Sequence, residues 1–225
     1  MKKTRWHVLP DARAVADTVA NRIGELARTA ISKQGRFKIV LAGGTTPERV
    51  YTQLAGHDAA WEAWHVFFGD ERCLPPDHPR RNSAMARRVW LDHVSIPARQ
   101  VHDIPAELGP EAAARAYGKV VAPALPFDLV LLGMGEDGHT ASLFPGQRHD
   151  SGQLVVPVFG APKPPPERVS LGQDALNDSL AVIVMITGAA KRQAVQQWRE
   201  GADLPIAAIH GRNGCDIYLD AAAYP

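Results

Sequence analysis

Residues 127–146, FDLVLLGMGEDGHTASLFPG, constrain the fold of this chain more than any other segment. Residues 129–132 form a continuous apolar run, which is the pattern of a parallel strand buried on both faces. A glycine-rich loop follows this run directly. In an open α/β sheet, ligands bind in the crevice beyond the carboxyl ends of the strands. The polar residues of the loop, Glu136, Asp137 and His139, are therefore predicted to lie at a functional site.

The glycines of this loop also spell G-x-G-x-x-G, the fingerprint of a dinucleotide-binding site. Glu136 and Asp137 would place two negative charges in a loop that must hold a pyrophosphate. The acidic residue that belongs about 20 positions further on is missing, because residues 157–160 read PVFG. A nicotinamide cofactor is therefore not expected. Taken alone, the loop also fits a plain strand-to-helix turn with a surface histidine.

Apolar runs and helical periodicities alternate along the chain. Strands are predicted at residues 38–42, 65–68, 129–132, 181–187, 206–209 and 216–219. Helices are predicted at residues 11–33 with Asp11 as N-cap, at 46–56 with Thr46 as N-cap, at 82–93, at 110–121 and through residues 191–198. This order predicts a mostly parallel, doubly wound, Rossmann-like sheet with helices on both faces. No linker divides the 225 residues, so a single domain over residues 1–225 is expected.

Composition excludes several classes of function. Twenty-five Lys and Arg face 24 Asp and Glu, so the net charge of +1 offers no general attraction to nucleic acid or to a membrane surface. Two cysteines, Cys73 and Cys215, suit a reducing compartment. No segment approaches the roughly 20 apolar residues of a membrane span, and the basic N-terminus lacks the apolar core of an export signal. The histidines show no HExxH spacing, so no metal is expected. A cytoplasmic protein is predicted.

Two further loops are predicted to reach the same sheet edge as the loop of His139. Residues 43–46, GGTT, precede a helix and can cradle a phosphate through backbone amides and the helix dipole, although such a turn is often only a turn. Residues 69–72, GDER, follow a strand. A short mixed charge run is usually a surface ion-pair cluster, but its place at the functional edge favours a role in the site.

Residues 157–167, PVFGAPKPPPE, contain five prolines in eleven residues. Most such stretches are polyproline spacers or ligands of small adaptor domains. Here the stretch lies between the loop of His139 and a strand-like RVSL segment. A stiff loop at this place is expected to hold Lys163 with little ordering entropy to lose.

Four blocks, LAGGTTPERVY, FFGDERCLPPDHPRRNSAMARRVWLDHV, FDLVLLGMGEDGHTASLFPG and PKPPPERVSL, resemble in this order the motifs of the 6-phosphogluconolactonases. The resemblance implies a three-layer α/β/α fold shared with glucosamine-6-phosphate deaminases and ribose-5-phosphate isomerases. It implies hydrolysis of 6-phospho-D-glucono-1,5-lactone to 6-phosphogluconate, the second step of the oxidative pentose phosphate pathway, without metal or organic cofactor. The expected partner is the small sugar-phosphate lactone, and the expected assembly is a monomer or weak homodimer.

The resemblance also implies roles for individual residues. His139 matches the base that removes a proton from the attacking water, a role that suits an imidazole near neutral pH. Arg72 matches the cation that stabilises the oxyanion. Asp137 is expected to orient the histidine ring or its water, and Asp70 is grouped with these catalytic residues. The phosphate-binding side is expected to comprise Gly44, Thr45, Lys163, Arg168 and Lys191.

Two alternatives on the same fold remain open from the sequence. A sugar-phosphate isomerase or deaminase would place a glutamate five residues after the loop histidine, where this chain has Phe144. A non-catalytic sugar-phosphate sensor would carry an N-terminal helix-turn-helix segment, yet only about 35 residues precede the first predicted strand. The chain departs from the resembled family at Gly172, where a threonine is usual. Ser142 and Cys73 lack the spacing of an activated nucleophile and are expected to be structural.

Overall fold

A computed structural model describes residues 4–147 and 152–225 of the chain. The basic start of the N-terminus, residues 1–3, lies outside this range. The described strands are β1 (Thr4–Leu9), β2 (Phe37–Leu41), β3 (Trp64–Phe68), β4 (Asp70–Arg72), β5 (Val101–His102), β6 (Phe127–Gly133), β7 (Val155–Val158), β8 (Arg168–Leu171), β9 (Ser179–Ile186) and β10 (Cys215–Asp220). The described α-helices are α1 (Ala12–Gln34), α2 (Thr45–Leu54), α3 (Asn82–Val89), α4 (Pro110–Val121), α5 (Gln173–Asn177) and α6 (Arg192–Arg199).

Seven strands form one sheet in the order β1-β10-β9-β6-β2-β3-β5, and every pair in it is parallel. The predicted parallel, doubly wound sheet is therefore confirmed. Strand β6 lies at its centre, and its residues from Phe127 to Leu132 are all buried. The continuous apolar run follows from this position, because a central parallel strand has no solvent-facing side.

Helices cover the sheet as the three-layer arrangement requires. Asp11 caps α1 by accepting a hydrogen bond from the Ala14 N–H at 2.8 Å, as predicted. Helix α1 buries one face, which includes Val15, Val19 and Ile23, and contacts β2, β6 and β10. Among the described helices, none has both the length and the hydropathy that a bilayer crossing requires.

A second sheet of three antiparallel strands, in the order β4-β8-β7, lies beside the first and contacts α4. The GDER segment is thus largely a strand, whereas the sequence predicted a loop there. The proline-rich segment also begins inside a strand, because Pro157 belongs to β7, an edge strand that can accept a residue without an N–H donor. This small sheet joins the arginine of GDER to the loop that carries Lys163.

Several predicted boundaries were wrong for identifiable reasons. Strand β1 was missed because it is an edge strand with mixed polarity, where Val8 is 46% exposed. Residues 206–209 were predicted as a strand but lie in and beside the 3₁₀ turn Pro205–Ala208, since a short apolar run does not distinguish the two. Helix α2 begins at Thr45 with Gly44 as its cap, two residues before the start that was predicted with Thr46 as the N-cap.

Glu71 is fully buried and organises the start of α3. Its carboxylate accepts hydrogen bonds from the backbone N–H groups of Asn82 at 2.7 Å and Ser83 at 2.8 Å, and from the Ser83 hydroxyl at 2.8 Å. The Arg81 Nε atom lies 3.5 Å from the same carboxylate. A negative charge at a helix N-terminus is stabilising. The middle residue of the Asp-Glu-Arg segment is therefore structural.

We expect Glu71→Gln to lower the free energy of unfolding by about 3–5 kcal/mol, because it removes the buried charge that accepts from the start of α3 and leaves the buried Arg81 guanidinium with only the partly exposed Glu107 as a charged partner. Equilibrium unfolding in urea at neutral pH measures this. The matched control is Glu107→Gln, since Glu107 also pairs with Arg81, at 3.0 Å, but its side chain is 36% exposed. Glu107→Gln should lower the free energy of unfolding by no more than about 1 kcal/mol. Equal costs for the two variants would contradict the structural role of Glu71.

Candidate active site

A crevice of about 340 Å³ opens at the carboxyl ends of the central strands. Nine residues were predicted for the site, and the crevice wall brings seven of them together: Gly44, Asp70, Arg72, His139, Lys163, Arg168 and Lys191. Thr45 is exposed and does not line the crevice. Asp137 is also absent from the wall, but it contacts His139 directly.

The His139 ring is mostly buried and paired on one side. Its Nδ1 atom lies 2.5 Å from Asp137 Oδ1, and its backbone N–H donates to the same oxygen at 3.1 Å. A carboxylate on Nδ1 fixes the tautomer in which Nδ1 carries the proton. The Nε2 atom is then the nitrogen with a free lone pair, as a general base requires.

Asp137 is held in its ionised form. Burial raises the pKa of this carboxyl group, but the hydrogen bonds from the backbone and ring of His139 lower it by more, so the net pKa lies below the usual aspartate value. The carboxylate therefore stays charged at neutral pH. It can stabilise a positive charge that develops on the His139 ring during proton transfer.

Gly135 allows this pair to form. A Cβ atom at Gly135 would lie 2.0 Å from His139 Nδ1 and 2.6 Å from Asp137 Oδ1. The Gly135 N–H also donates to the His139 carbonyl at 2.8 Å, which closes the loop. Gly138, at φ +80°, makes the turn between them. The glycine spacing that imitates a dinucleotide fingerprint thus serves the histidine and its carboxylate.

Asp70 and Arg72 have different environments although both line the crevice. The Asp70 carboxylate is buried and accepts from Ser142 Oγ at 2.6 Å and from Asn82 Nδ2 at 3.1 Å. Arg72 donates from Nη1 to the Arg80 carbonyl, and its buried Nε has no partner among the described residues. Asp70 is therefore suited to hold its neighbours in position. Arg72 keeps N–H groups that can donate hydrogen bonds to a ligand.

Asn82 is a crevice residue that the sequence did not reveal. It donates to the Asp70 carbonyl at 2.9 Å as well as to the carboxylate, and it lies against the glycine turn before α2. A Cβ atom at Gly43 would be 2.0 Å from Asn82 Oδ1. Nothing in the sequence distinguishes this asparagine from an ordinary residue at a helix start, because its contacts all come from the tertiary fold.

Further basic groups and a helix N-terminus also line the crevice. Gly44, at φ +109°, caps α2, and the first N–H groups of a helix have no intrahelical partner. Arg168 is buried and donates to the carbonyls of Lys163 at 2.7 Å and Pro165 at 3.1 Å, so it fixes the proline-rich loop. Burial lowers the pKa of Arg168, but a guanidinium remains charged at neutral pH.

The two lysines of the crevice share an acidic neighbour. The Lys163 ammonium is exposed and lies 3.8 Å from a Glu136 carboxylate oxygen. Lys191 is half-buried, and burial lowers the pKa of its ammonium, with Glu136 opposing that shift and Lys163 adding to it. Although Glu136, Asp70 and Asp137 lie near these groups, three cations and a helix N-terminus make this region suited to a multiply charged anion.

Phe144 forms an apolar wall between the histidine and the arginine. Its ring centroid lies 4.7 Å from that of His139, and the Arg168 guanidinium carbon lies 5.6 Å from the ring centroid. This residue has no group that moves a proton. A second cavity, of about 450 Å³, shares Phe144, but its described lining contains Asp174 and Asp203 and no basic side chain, so it does not suit an anionic substrate.

The candidate nucleophiles and the departure at residue 172 have structural explanations. Ser142 is fully buried, and its hydroxyl donates to Asp70. Burial raises the pKa of Cys73 to about 11, which keeps this thiol protonated at neutral pH. A Cβ atom at Gly172 would lie 2.2 Å from the Gln153 carbonyl oxygen, so a threonine does not fit here.

Within the described residues no group of three or more His, Cys, Asp or Glu side chains is arranged to hold a metal ion.

Comparison with known proteins agrees with this geometry. The family model of glucosamine-6-phosphate isomerases/6-phosphogluconolactonase matches residues 10–218. A 6-phosphogluconolactonase from Nostoc sp. is 41% identical over 212 residues, which cover 88% of this chain and 85% of the relative.

Two solved structures extend the similarity to the whole fold. The 6-phosphogluconolactonase from Thermotoga maritima superposes with a TM-score of 0.91 at 31% identity, covering 97% of this chain and 100% of that one. The enzyme of the same name from Trypanosoma brucei gives a TM-score of 0.86 at 30% identity, covering 99% and 98%. Taken with the family model, these similarities show that the chain belongs to the glucosamine-6-phosphate isomerase/6-phosphogluconolactonase family.

Proposed function

We propose that this protein hydrolyses 6-phospho-D-glucono-1,5-lactone to 6-phospho-D-gluconate in the oxidative pentose phosphate pathway. The observation that carries the proposal is the His139–Asp137 pair, which lies in one crevice with Arg72 and with further basic groups. A base and a cation suit attack on a lactone carbonyl, and the basic set suits the phosphate. The relatives and solved structures named as 6-phosphogluconolactonases support this assignment.

The first step is addition of water to the lactone carbonyl. His139 Nε2 takes a proton from a water molecule as the water oxygen forms a bond to C1. The carbonyl electron pair moves to the carbonyl oxygen, which becomes an oxyanion. Arg72 lies in the crevice as a fixed cation for that charge, and Asp137 stabilises the imidazolium that forms.

The second step opens the ring. The oxyanion re-forms the carbonyl, the bond from C1 to the ring oxygen breaks, and the electron pair of that bond goes to the ring oxygen. His139 returns its proton to this oxygen, which becomes the C5 hydroxyl, and the new carboxyl group loses a proton to solvent. No covalent enzyme intermediate is required, which agrees with the structural roles of Ser142 and Cys73.

The phosphate is bound by the basic part of the crevice. The amides at the start of α2, beginning after Gly44, supply donors aligned with the helix dipole. Lys163, Lys191 and Arg168 supply positive charge around the same space. Thr45 is expected to contribute least to phosphate binding, because it does not line the crevice. Glu136 reduces the net charge of this region and is expected to be displaced from Lys163 when the phosphate enters.

The two alternatives are weaker for structural reasons. An isomerase or deaminase needs a further acid or base beside the histidine, and Phe144 fills that place. A sensor has no need of a histidine tied to a carboxylate.

The two cysteines are both free in the structure, which supports a reducing, cytoplasmic location. A monomer or weak homodimer, with a single domain, stays our prediction for the assembly.

The direct experiment generates the phosphorylated lactone in situ from glucose 6-phosphate with its dehydrogenase and follows acid release. We expect the protein to accelerate ring opening far above the spontaneous rate, with the product identified as 6-phosphogluconate by NMR. No acceleration over the spontaneous rate would refute the proposed function.

His139→Asn should lower kcat by about 10²- to 10⁴-fold, the usual worth of a positioned general base. KM should change only a few-fold, because the phosphate site is untouched. The control is His93→Asn, since His93 is exposed and bonded to the Arg88 carbonyl at 2.8 Å, away from the crevice. If both variants turned over at the wild-type rate, His139 would have no part in the reaction.

Gly135→Ala should lower kcat by about 10²-fold or more while the protein remains folded, because its methyl group displaces the ring and carboxylate that it would overlap. Gly118→Ala is the control, since a Cβ atom at that helical position meets nothing within 4 Å. That variant should keep full activity and gain about 0.5–1 kcal/mol of stability. Steady-state kinetics and urea unfolding measure both effects. Wild-type activity in Gly135→Ala would show that the close approach is not needed.

Lys163→Ala should raise KM for the phosphorylated lactone about tenfold to a hundredfold through loss of a charge-assisted hydrogen bond. Hydrolysis of unphosphorylated gluconolactone should fall much less, because no phosphate is present to contact. Lys119→Ala, on the exposed side of α4, serves as the charge-matched control and should affect neither substrate. Parallel losses on both substrates would assign Lys163 to the loop or to the chemistry.

A further inference from the structure

Asp220 is a buried carboxylate that the reaction does not use. It is the last residue of β10 and is 5% exposed. Its two carboxylate oxygens both accept from the Gly188 N–H, each at 3.0 Å, and Oδ1 also accepts from the Ala223 N–H at 2.9 Å. A buried carboxylate is costly unless it makes such bonds. The position of Gly188 is therefore fixed by this side chain.

Gly188 begins the turn that carries Lys191. It has φ +93°, and its carbonyl accepts from the Lys191 N–H at 3.0 Å, which closes the 3₁₀ turn Ala189–Lys191. On the far side of this turn, Arg192 Nε donates to the Ala222 carbonyl at 3.2 Å. The C-terminal segment 220–223 thus holds the chain both before and after Lys191.

The same turn is tied to the proposed phosphate site from the other direction. Thr187, next to Gly188, has its hydroxyl 2.7 Å from that of Thr46 in the first turn of α2. The turn therefore connects two rigid points, the N-terminus of α2 and the end of β10. The backbone around Lys191 is therefore held by contacts to both points.

We propose that Asp220 is a positioning residue that holds the Gly188 turn so that Lys191 meets the phosphate group of the substrate. The proposal rests on the proposed function of the crevice. A carboxylate suits this place because Oδ1 accepts from both N–H groups, Oδ2 also accepts from the Gly188 N–H, and neither oxygen offers a donor. An asparagine has one acceptor oxygen, and its NH₂ group would face an N–H group. Charge-assisted bonds to an ionised acceptor are also stronger than neutral ones.

The test compares Asp220→Asn with wild type on both lactones. We expect KM for the phosphorylated lactone to rise about tenfold, as for a misplaced charge-assisted contact, with kcat changed less than about threefold. Hydrolysis of unphosphorylated gluconolactone, which has nothing for Lys191 to bind, should change less than about twofold on the same reasoning. Binding of inorganic phosphate, measured by calorimetry, should weaken in parallel with the rise in KM.

Asp216→Asn is the matched control. Asp216 lies on the same strand and is also buried, at 8% exposure, but it pairs with Arg5 and His7 near the opposite end of the sheet. This variant should lose stability without changing the preference for the phosphorylated substrate. If Asp220→Asn behaved in the same way, Asp220 would be only a structural residue and the proposal would be wrong.

A double variant separates positioning from general damage. In a Lys191→Ala background, Asp220→Asn should cause no further rise in KM or loss of phosphate binding, because the group that it positions is gone. Additive effects would overturn the proposal, and so would a normal phosphate preference in Lys191→Ala alone. Failure of the proposed function is distinguishable, since it would appear as an inactive wild type. The phosphate-binding comparison of wild type, Asp220→Asn and Lys191→Ala would then still decide the role of Asp220.

Discussion

The parallel pairing of the central strands determines where most groups of the site lie. Because β2, β3, β6 and β9 run in the same direction, their carboxyl ends meet at one edge of the sheet. The glycine turn, the GDER segment, the loop of His139 and the turn of Lys191 each follow one of these ends. A crevice that combines a base, cations and a helix N-terminus therefore results from topology, with no need for the residues to be near in sequence.

A second set of contacts keeps these loops in register with one another. The three residues of the Asp-Glu-Arg segment have separate roles. Asp70 accepts a hydrogen bond from Ser142, which belongs to the segment that follows His139. Glu71 holds the start of α3. Arg72 lines the crevice. Pairing of β4 with β8 then connects this segment to the loop that carries Lys163. A strand position for the segment explains these separate roles, since successive side chains of a strand point to opposite faces.

The sequence predicted the parallel sheet and the loop of His139 because both depend on local patterns, namely the apolar run before residue 133 and the glycines after it. It also predicted the limits of α1, where the Asp11 cap and the apolar periodicity agree, and of α4, which begins at Pro110. Features that depend on distant partners escaped prediction. Strand β1 pairs with β10, more than 200 residues away. Asn82 and Asp220 act through tertiary contacts, which a local sequence pattern does not reveal.

The proposed reaction requires that the crevice has a chemical end at His139 and Arg72 and an anion end at Lys163, Lys191 and the start of α2. A crystal structure of the protein with 6-phosphogluconate bound tests this requirement most directly. We expect the carboxylate of the product within hydrogen-bond distance of His139 and Arg72, and its phosphate among the two lysines and the amides after Gly44. A product bound in the reverse direction, with its phosphate at His139, would contradict this division of the crevice.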